Sequence, residues 1–325
     1  MVASLTSPKR AVRLALVALA LMLASALSLH ADQGGVSFWV PGQFGSFAAV
    51  SSEPGFSLTT TGYTYMGSTD ASRAFPRGRR IVLGVDTTFN SVWFCPVYTA
   101  ATPFLGGQFA FSVTGFYAYN LMSGRVQLQP SNLFVKRGDT LRNVGDLIPM
   151  AQVFWARGDH NWMAYVTANV PVGSYDPNRL AETGLGFWAA DLGGAYTYYS
   201  EKSGREFSAT LGATTNWENP DTEYKNGVEL HLDLGASQSL SDVASVGLAG
   251  YWYQQLAGDS GAGARLGPFY SSTAALGAQA SHTFTVGGTA VDVNLRAYYE
   301  VMAHRRPQGY TVFLNITIPL GGKKR

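Results

Sequence analysis

Between Gly227 and Gly235, the residues Glu229, His231 and Asp233 alternate with Val228, Leu230, Leu232 and Leu234. A histidine flanked by two carboxylates could serve in general acid–base catalysis, proton relay or metal binding. At a period of two, all three polar side chains point to one face of a strand and the apolar ones to the other. Same-face neighbours stand about 7 Å apart along a strand, which makes this row a weak metal site. Alternation also points Asp86, Asp191, Glu206, Asp292, Arg296 and Glu300 to the polar faces of their own segments. Arg296 shares its face with Asp292 and Glu300, so charge pairing is open to it. Such a set either forms a hydrogen-bonded network bracing an enclosed space, or orders water and steers a polar solute end. His231, His282 and His304 are far apart in sequence, and no serine stands in a nucleophile-elbow pattern. The expectation is therefore neither enzyme nor cofactor-binding protein. Cys95 is the sole cysteine, which excludes an intrachain disulfide and a thiol-metal cluster.

The elements that must carry these groups are strands. Charged residues make up only 14% of the 325-residue chain, against about 25% in an average soluble domain. There are 37 glycines, and aromatics reach 13%. A net charge of +2 gives no reason to expect a nucleic-acid partner. Lys9, Arg10 and Arg13 precede the apolar run Leu14 to Leu29, and residues 1–31 read as a secretory signal peptide. No later apolar run is long enough for a membrane-spanning helix. Residues 32–54 combine Phe38, Trp39, Val40, Phe44 and Phe47 with Pro41, Gly42, Gly45 and Pro54. Such a segment cannot pair as a central strand, yet its large side chains favour burial, so it is expected to strap the domain or plug a lumen.

From Gly55 onward, about twelve extended segments alternate with turn chemistry and fill residues 55–325. In Ile81 to Trp93, the residues Ile81, Leu83, Val85, Phe89 and Trp93 share one face, opposite Asp86, Thr88 and Asn90. The stretch Asn120 to Asn143 reads as a long polar connection. Connections near 157–160, 201–204, 241–244 and 285–289 are short, with a longer one at the same end near 94–106, whereas those near 67–77, 171–183, 218–226, 257–267 and 303–309 are longer and polar. Short turns at one end and long loops at the other, with an even strand count, predict an all-β transmembrane antiparallel barrel of the outer-membrane type. The apolar faces would then meet outer-membrane lipid, and the polar faces would line a lumen. The expected inward set also holds apolar groups: Ile148, Met150 and Phe154 beside Gln152, together with Tyr165, Tyr298 and Phe313.

Several motifs in their order give a more specific reading. Phe38-Trp39-Val40-Pro41-Gly42-Gln43-Phe44-Gly45 followed by Pro54-Gly55-Phe56 resembles the N-terminal signature of the outer-membrane family named for the meta-pathway of phenol degradation. Pro103 to Gly107, Val144 to Pro149, Val170 to Tyr175, Gly250 to Gln255 with Asp259-Ser260-Gly261, and Ile318-Pro319-Leu320 are similar in the same order. The resemblance implies a Gram-negative outer-membrane channel or transporter for small hydrophobic or aromatic compounds, delivered to the membrane by the barrel-assembly machinery. One departure is the end of the chain, which runs past Leu320 to Gly321-Gly322-Lys323-Lys324-Arg325 where outer-membrane barrels usually finish on an aromatic residue. On this reading the N-terminal segment gates the route, with Phe38, Trp39 and Phe44 touching the solute; the alternatives are a structural or adhesive barrel and an outer-membrane hydrolase.

Overall fold

The structure, a computed structural model, describes residues 37–320 except 76–78, 130–132 and 265–266. The expected signal peptide, residues 1–31, lies outside the described residues. Among the described residues, thirteen strands and no helix follow the N-terminal segment. They are β1 (Gly55–Phe75), β2 (Arg79–Phe104), β3 (Gly107–Gln129), β4 (Leu133–Val144), β5 (Ile148–Arg157), β6 (His160–Asn169) and β7 (Ala189–Ser200). The series continues with β8 (Arg205–Asn216), β9 (Glu229–Ser241), β10 (Ala244–Gln255), β11 (Ser272–Val286), β12 (Thr289–His304) and β13 (Gln308–Leu320). Neighbours pair antiparallel throughout, and β1 pairs with both β2 and β13, so the sheet closes. The ring has twelve members. β3 pairs with β5 over its first half and with β4 over its second, so β4 and β5 are two parts of one staggered strand interrupted at Gly145–Leu147.

Closure pairs the ring on both sides and satisfies the main chain within the wall, which a membrane interior requires, while β4 pairs with β3 alone and the far end of β1 with β2 alone. Side-chain alternation then separates two environments. On β8, Glu206, Ser208, Thr210, Thr214 and Asn216 are buried inside, while Phe207 and Leu211 are exposed outside. Leu192, Leu234, Leu248, Leu276, Leu295 and Leu314 continue the outer apolar belt around the ring. Trp188 and Trp217 flank one rim of this belt and Trp162 the other, all exposed. Trp188 and Tyr196 stand eight residues apart along one tilted strand, roughly 20 Å across a membrane.

Three expectations about segment ends are corrected. The stretch 120–143 is not a loop, because β3 runs on to Gln129 and pairs with β4 residue by residue. The 67–77 region likewise belongs mostly to β1, which runs to Phe75. Beyond the lipid belt a strand faces water on the outside, so the apolar alternation that identifies it disappears while its hydrogen-bond ladder persists. The third correction shortens the connection at 94–106. β2 runs to Phe104, leaving a two-residue turn whose Leu105 and Gly106 have φ of 51° and 74°. Positive φ at both positions matches the right-handed twist of the flanking strands.

Candidate functional site

The barrel interior is filled by its own N-terminus. Segment 37–54 enters the ring and folds into compact turns, closed by Gln43 N to Val40 O at 3.2 Å and Val50 N to Phe47 O at 3.0 Å. An irregular segment leaves amides without strand partners, and in an enclosed lumen these must find acceptors. The wall supplies them from side chains. Asp233 accepts from Gly42 N at 2.8 Å and Phe44 N at 3.1 Å. Glu206 accepts from Phe47 N at 2.9 Å, Gln279 from Ser46 N at 3.2 Å, and Thr197 from Ala49 N at 3.0 Å. In return Arg296 donates to Gln43 O at 2.9 Å and Tyr298 to Gly42 O at 3.2 Å. A Cβ on Gly235 would come within 2.5 Å of Ser46 N, so glycine there lets the two backbones approach.

Glu229, His231 and Asp233 do share one inner face, but each is committed to a different partner. Asn216 donates to Glu229 at 2.9 Å. His231 Nε2 lies 2.9 Å from Asp191, which also accepts from Thr214 at 2.6 Å and Tyr165 at 2.7 Å. The His231 ring is capped by Trp39 at a centroid distance of 3.5 Å and an interplanar angle of 14°. Trp39 in turn stacks on Phe44 and Tyr165, and Met150 and Phe154 pack against the same cluster. Phe38 packs separately with Phe187 and Ala189. The group that looked able to do acid–base chemistry therefore anchors the segment that covers it.

Most of the other expected inward groups also lie inside the barrel, in three separate places. Arg296, Tyr298 and Phe313 are buried beside Gln43 and Gly42, with the guanidinium 5.3 Å from the centre of the Phe313 ring. Glu300 is buried nearer the long loops, where it accepts from Tyr65, Tyr251, Thr273 and Gly309 N. Asp292 is exposed near the short-turn end and accepts from Thr283 at 2.6 Å. The charge pairing open to Arg296, Asp292 and Glu300 in sequence does not form.

Asp86 is a correction. It lies on the outer face and pairs with Arg125 at 3.0 Å, level with the first residue of β13 through Ser68. The opposite face of β2, with Phe89 and Trp93, turns inward. The reason is that the β1–β3 side of the lumen takes large aromatic groups as well as small polar ones. The N-terminal segment hydrogen-bonds chiefly to β7, β8, β9, β11 and β12. Across from it, Tyr63, Phe89, Trp93 and Phe116 form an aromatic strip on β1, β2 and β3, with neighbouring ring centres 5.6–6.4 Å apart. Periodicity finds the two faces of β2 but cannot say which is inside when both contain large apolar groups.

Among the described residues, one cavity lies on each side of the segment. One, of about 780 Å³, opens among the long loops; Phe38, Trp39 and Pro41 contribute to its lining together with Phe89, Trp93 and Phe116. The other, of about 300 Å³, lies at the short-turn end against Ala49, Ser51, Phe154 and Trp155. Loop residues Asp146, Arg179 and Glu182 also line the larger cavity. Arg179 and Glu182 do not stand out in sequence, and Asp146 enters only within the Val144 to Pro149 motif, because each works through a fold-dependent meeting of β3, β4 and the 170–188 loop. Gln279, Thr197 and Ser208 carry no charge to mark them in sequence, although their parity points them inward.

Residues 71–316 match a protein family described as "Putative MetA-pathway of phenol degradation". The chain belongs to this family. Among solved structures, the COG4313 outer membrane channel from Pseudomonas putida F1 is similar at 14% identity and a TM-score of 0.60, over 86% of this chain and 100% of that one. At this identity the likeness shows a shared barrel fold. A Pseudomonas aeruginosa FadL homologue aligns at 8% identity and a TM-score of 0.40, over 85% of this chain and 91% of that one. No curated protein matches the sequence.

Proposed function

We propose that this family member is an outer-membrane channel for passive entry of small hydrophobic or aromatic compounds, gated by its N-terminal segment. The observation that carries the reading is the larger cavity, with an aromatic strip on one side and Phe38 and Trp39 at the segment that separates it from the smaller cavity. A wide aqueous pore has a polar wall all round. Here Asp233, Glu206, Gln279 and Arg296 are engaged in holding the segment, and the larger cavity offers a solute an aromatic strip beside polar loop groups. The long-loop cavity would receive the compound from outside the cell, and the short-turn cavity would release it to the periplasm. Phe38, Trp39 and Phe44 are the side chains that must yield for the two spaces to join. The signal-like N-terminus, the lipid-facing leucine belt and the family's outer-membrane association all support this location, with delivery by the barrel-assembly machinery.

Planar-bilayer recording tests both parts. Deleting residues 33–50 should raise single-channel conductance several-fold, and aromatic solutes should then block the current more strongly than sugars of similar mass. Unchanged conductance would contradict the gate, and equal block by sugars would point to a general porin.

A further inference from the structure

Toward the long loops, the strands that carry outward-facing cations stand on one side of the barrel. Among the described residues, the lysines and arginines of β5 to β13 are Arg157 and Arg205, beside short turns, and Arg296, in the lumen. By contrast β3 and β4 hold Arg125, Lys136, Arg137 and Arg142 where they run on toward the long loops. Arg137 turns inward and lines the larger cavity. The other three share the outer face, because directly opposed residues of paired strands point the same way. Lys136 is opposite Arg125 and Arg142 is opposite Tyr119, while Ala118, Asn120, Met122 and Val126 of β3 are buried on the inner side. Lys136 and Arg142 are exposed. The Arg142 guanidinium lies 4.9 Å from the centre of the Tyr119 ring, one same-face step along β3 from the exposed Tyr117. A cation therefore stands beside the tyrosines that mark a membrane–water interface. Lys136 and Arg125 are three same-face steps farther out, roughly 20 Å along the strand and about 15 Å in height at the usual barrel tilt. Asp86 is the one acid on this face among the described residues of β2 to β4. It pairs with Arg125 at 3.0 Å with both groups partly exposed, a contact that water and salt weaken.

We propose that this outer face of β3 and β4 binds the phosphates of the outer leaflet's glycolipid, lipopolysaccharide. Arg142 would meet a lipid A phosphate, and Lys136 with Arg125 the phosphorylated core sugars above it. The inference rests on the outer-membrane location with the long loops outside, and it is independent of the solute route. A phosphate monoester brings more than one negative charge and three strong acceptor oxygens, which suit an ammonium and a guanidinium. Three cations against the single carboxylate of Asp86 leave the face positive. The two depths select the partner further. A phospholipid offers one phosphodiester at one height, whereas the glycolipid carries phosphates on the lipid A disaccharide and again in the core. Tyr117 and Leu121, both exposed on the same face, offer apolar surface beside the acyl chains.

Native mass spectrometry of the full folded barrel in nonionic detergent compares three lipids. They are rough lipopolysaccharide with a phosphorylated inner core, the same lipid after dephosphorylation, and phosphatidylglycerol. The phosphorylated glycolipid should bind at least about tenfold tighter than either of the others, as two or three cations near phosphate warrant. The double variant Lys136→Gln/Arg142→Gln, with folding checked by heat-modifiable gel mobility, should bring it down to the dephosphorylated level. Lys202→Gln/Arg205→Gln, which removes the same charge at the short-turn end, should leave the preference intact. Equal binding of the phosphorylated and dephosphorylated forms would overturn the proposal, as would equal binding of phosphatidylglycerol. A preference that survives in Lys136→Gln/Arg142→Gln, or that falls as far in Lys202→Gln/Arg205→Gln, would overturn it too. None of these outcomes bears on conductance, so the channel reading stands or falls separately.

Discussion

At the level of single residues, Asp139 and Glu182 flank the same loop but sit in opposite electrostatic settings. Asp139 accepts from Arg179, Leu180 N, Ala181 N and Thr140 N. Burial works against its charge, but these donors together hold its carboxyl below the ordinary value of 3.8. Glu182 has no such set and is raised from 4.5 to about 7, chiefly by burial. Linkage gives the two groups opposite signs. The native state binds the Glu182 proton more tightly than the unfolded chain does, so this contribution to stability is full below 4.5 and declines as pH rises to about 7. The Asp139 contribution is present above 3.8 and lost as pH falls below it. The 170–188 loop should therefore resist protease best at about pH 4 and become steadily easier to cut toward pH 7, a trend that Glu182→Gln removes. A nicking rate that falls between those pH values in the native chain would contradict the assignment.

Sequence reading succeeded best for the elements inside the lipid belt. Leu230, Leu232 and Leu234 alternate cleanly with Glu229, His231 and Asp233 because lipid and lumen impose opposite demands on the two faces. Leu232 is on the outer face of β9, opposite Leu211 of β8 and Trp252 of β10. Leu232→Arg should cost about 2–4 kcal/mol if measured by denaturant titration in lipid, provided the site lies near the bilayer midplane. A loss below the error of the titration would place this face away from lipid. The same rule failed where its premise lapsed. β4 and the far ends of β1, β2 and β3 lie beyond the belt and carry no outer apolar signature. On β2 the inner face holds Phe89 and Trp93, so a polar-in rule points Asp86 inside and these aromatics outside, the reverse of what the fold does. The partners of the N-terminal segment were half legible: charges at Glu206, Asp233 and Arg296 drew attention, while Gln279 and Thr197 did not. Spacing along a strand cannot show that a separate segment, nearly 200 residues away for Gly42 and Asp233, supplies the hydrogen bonds.

Across the whole molecule, the barrel and its occupant solve each other's problem. A twelve-member ring needs its polar inner groups paired, and an irregular segment rich in glycine, proline and aromatics needs acceptors and cover. The ring supplies carboxylates and amides on one side and leaves an aromatic wall on the other, which is where a solute has room. This arrangement requires that residues 37–54 reside in the lumen of the folded protein. Hydrogen–deuterium exchange with mass spectrometry, on the protein in lipid nanodiscs, measures that residence through the segment's own amides. Gly42, Phe44, Ser46, Phe47 and Ala49 each donate to a wall side chain and should exchange at least about tenfold more slowly than an unstructured peptide of the same sequence. Exchange of peptides covering 37–54 at the unprotected rate would contradict a lumen closed by its N-terminus.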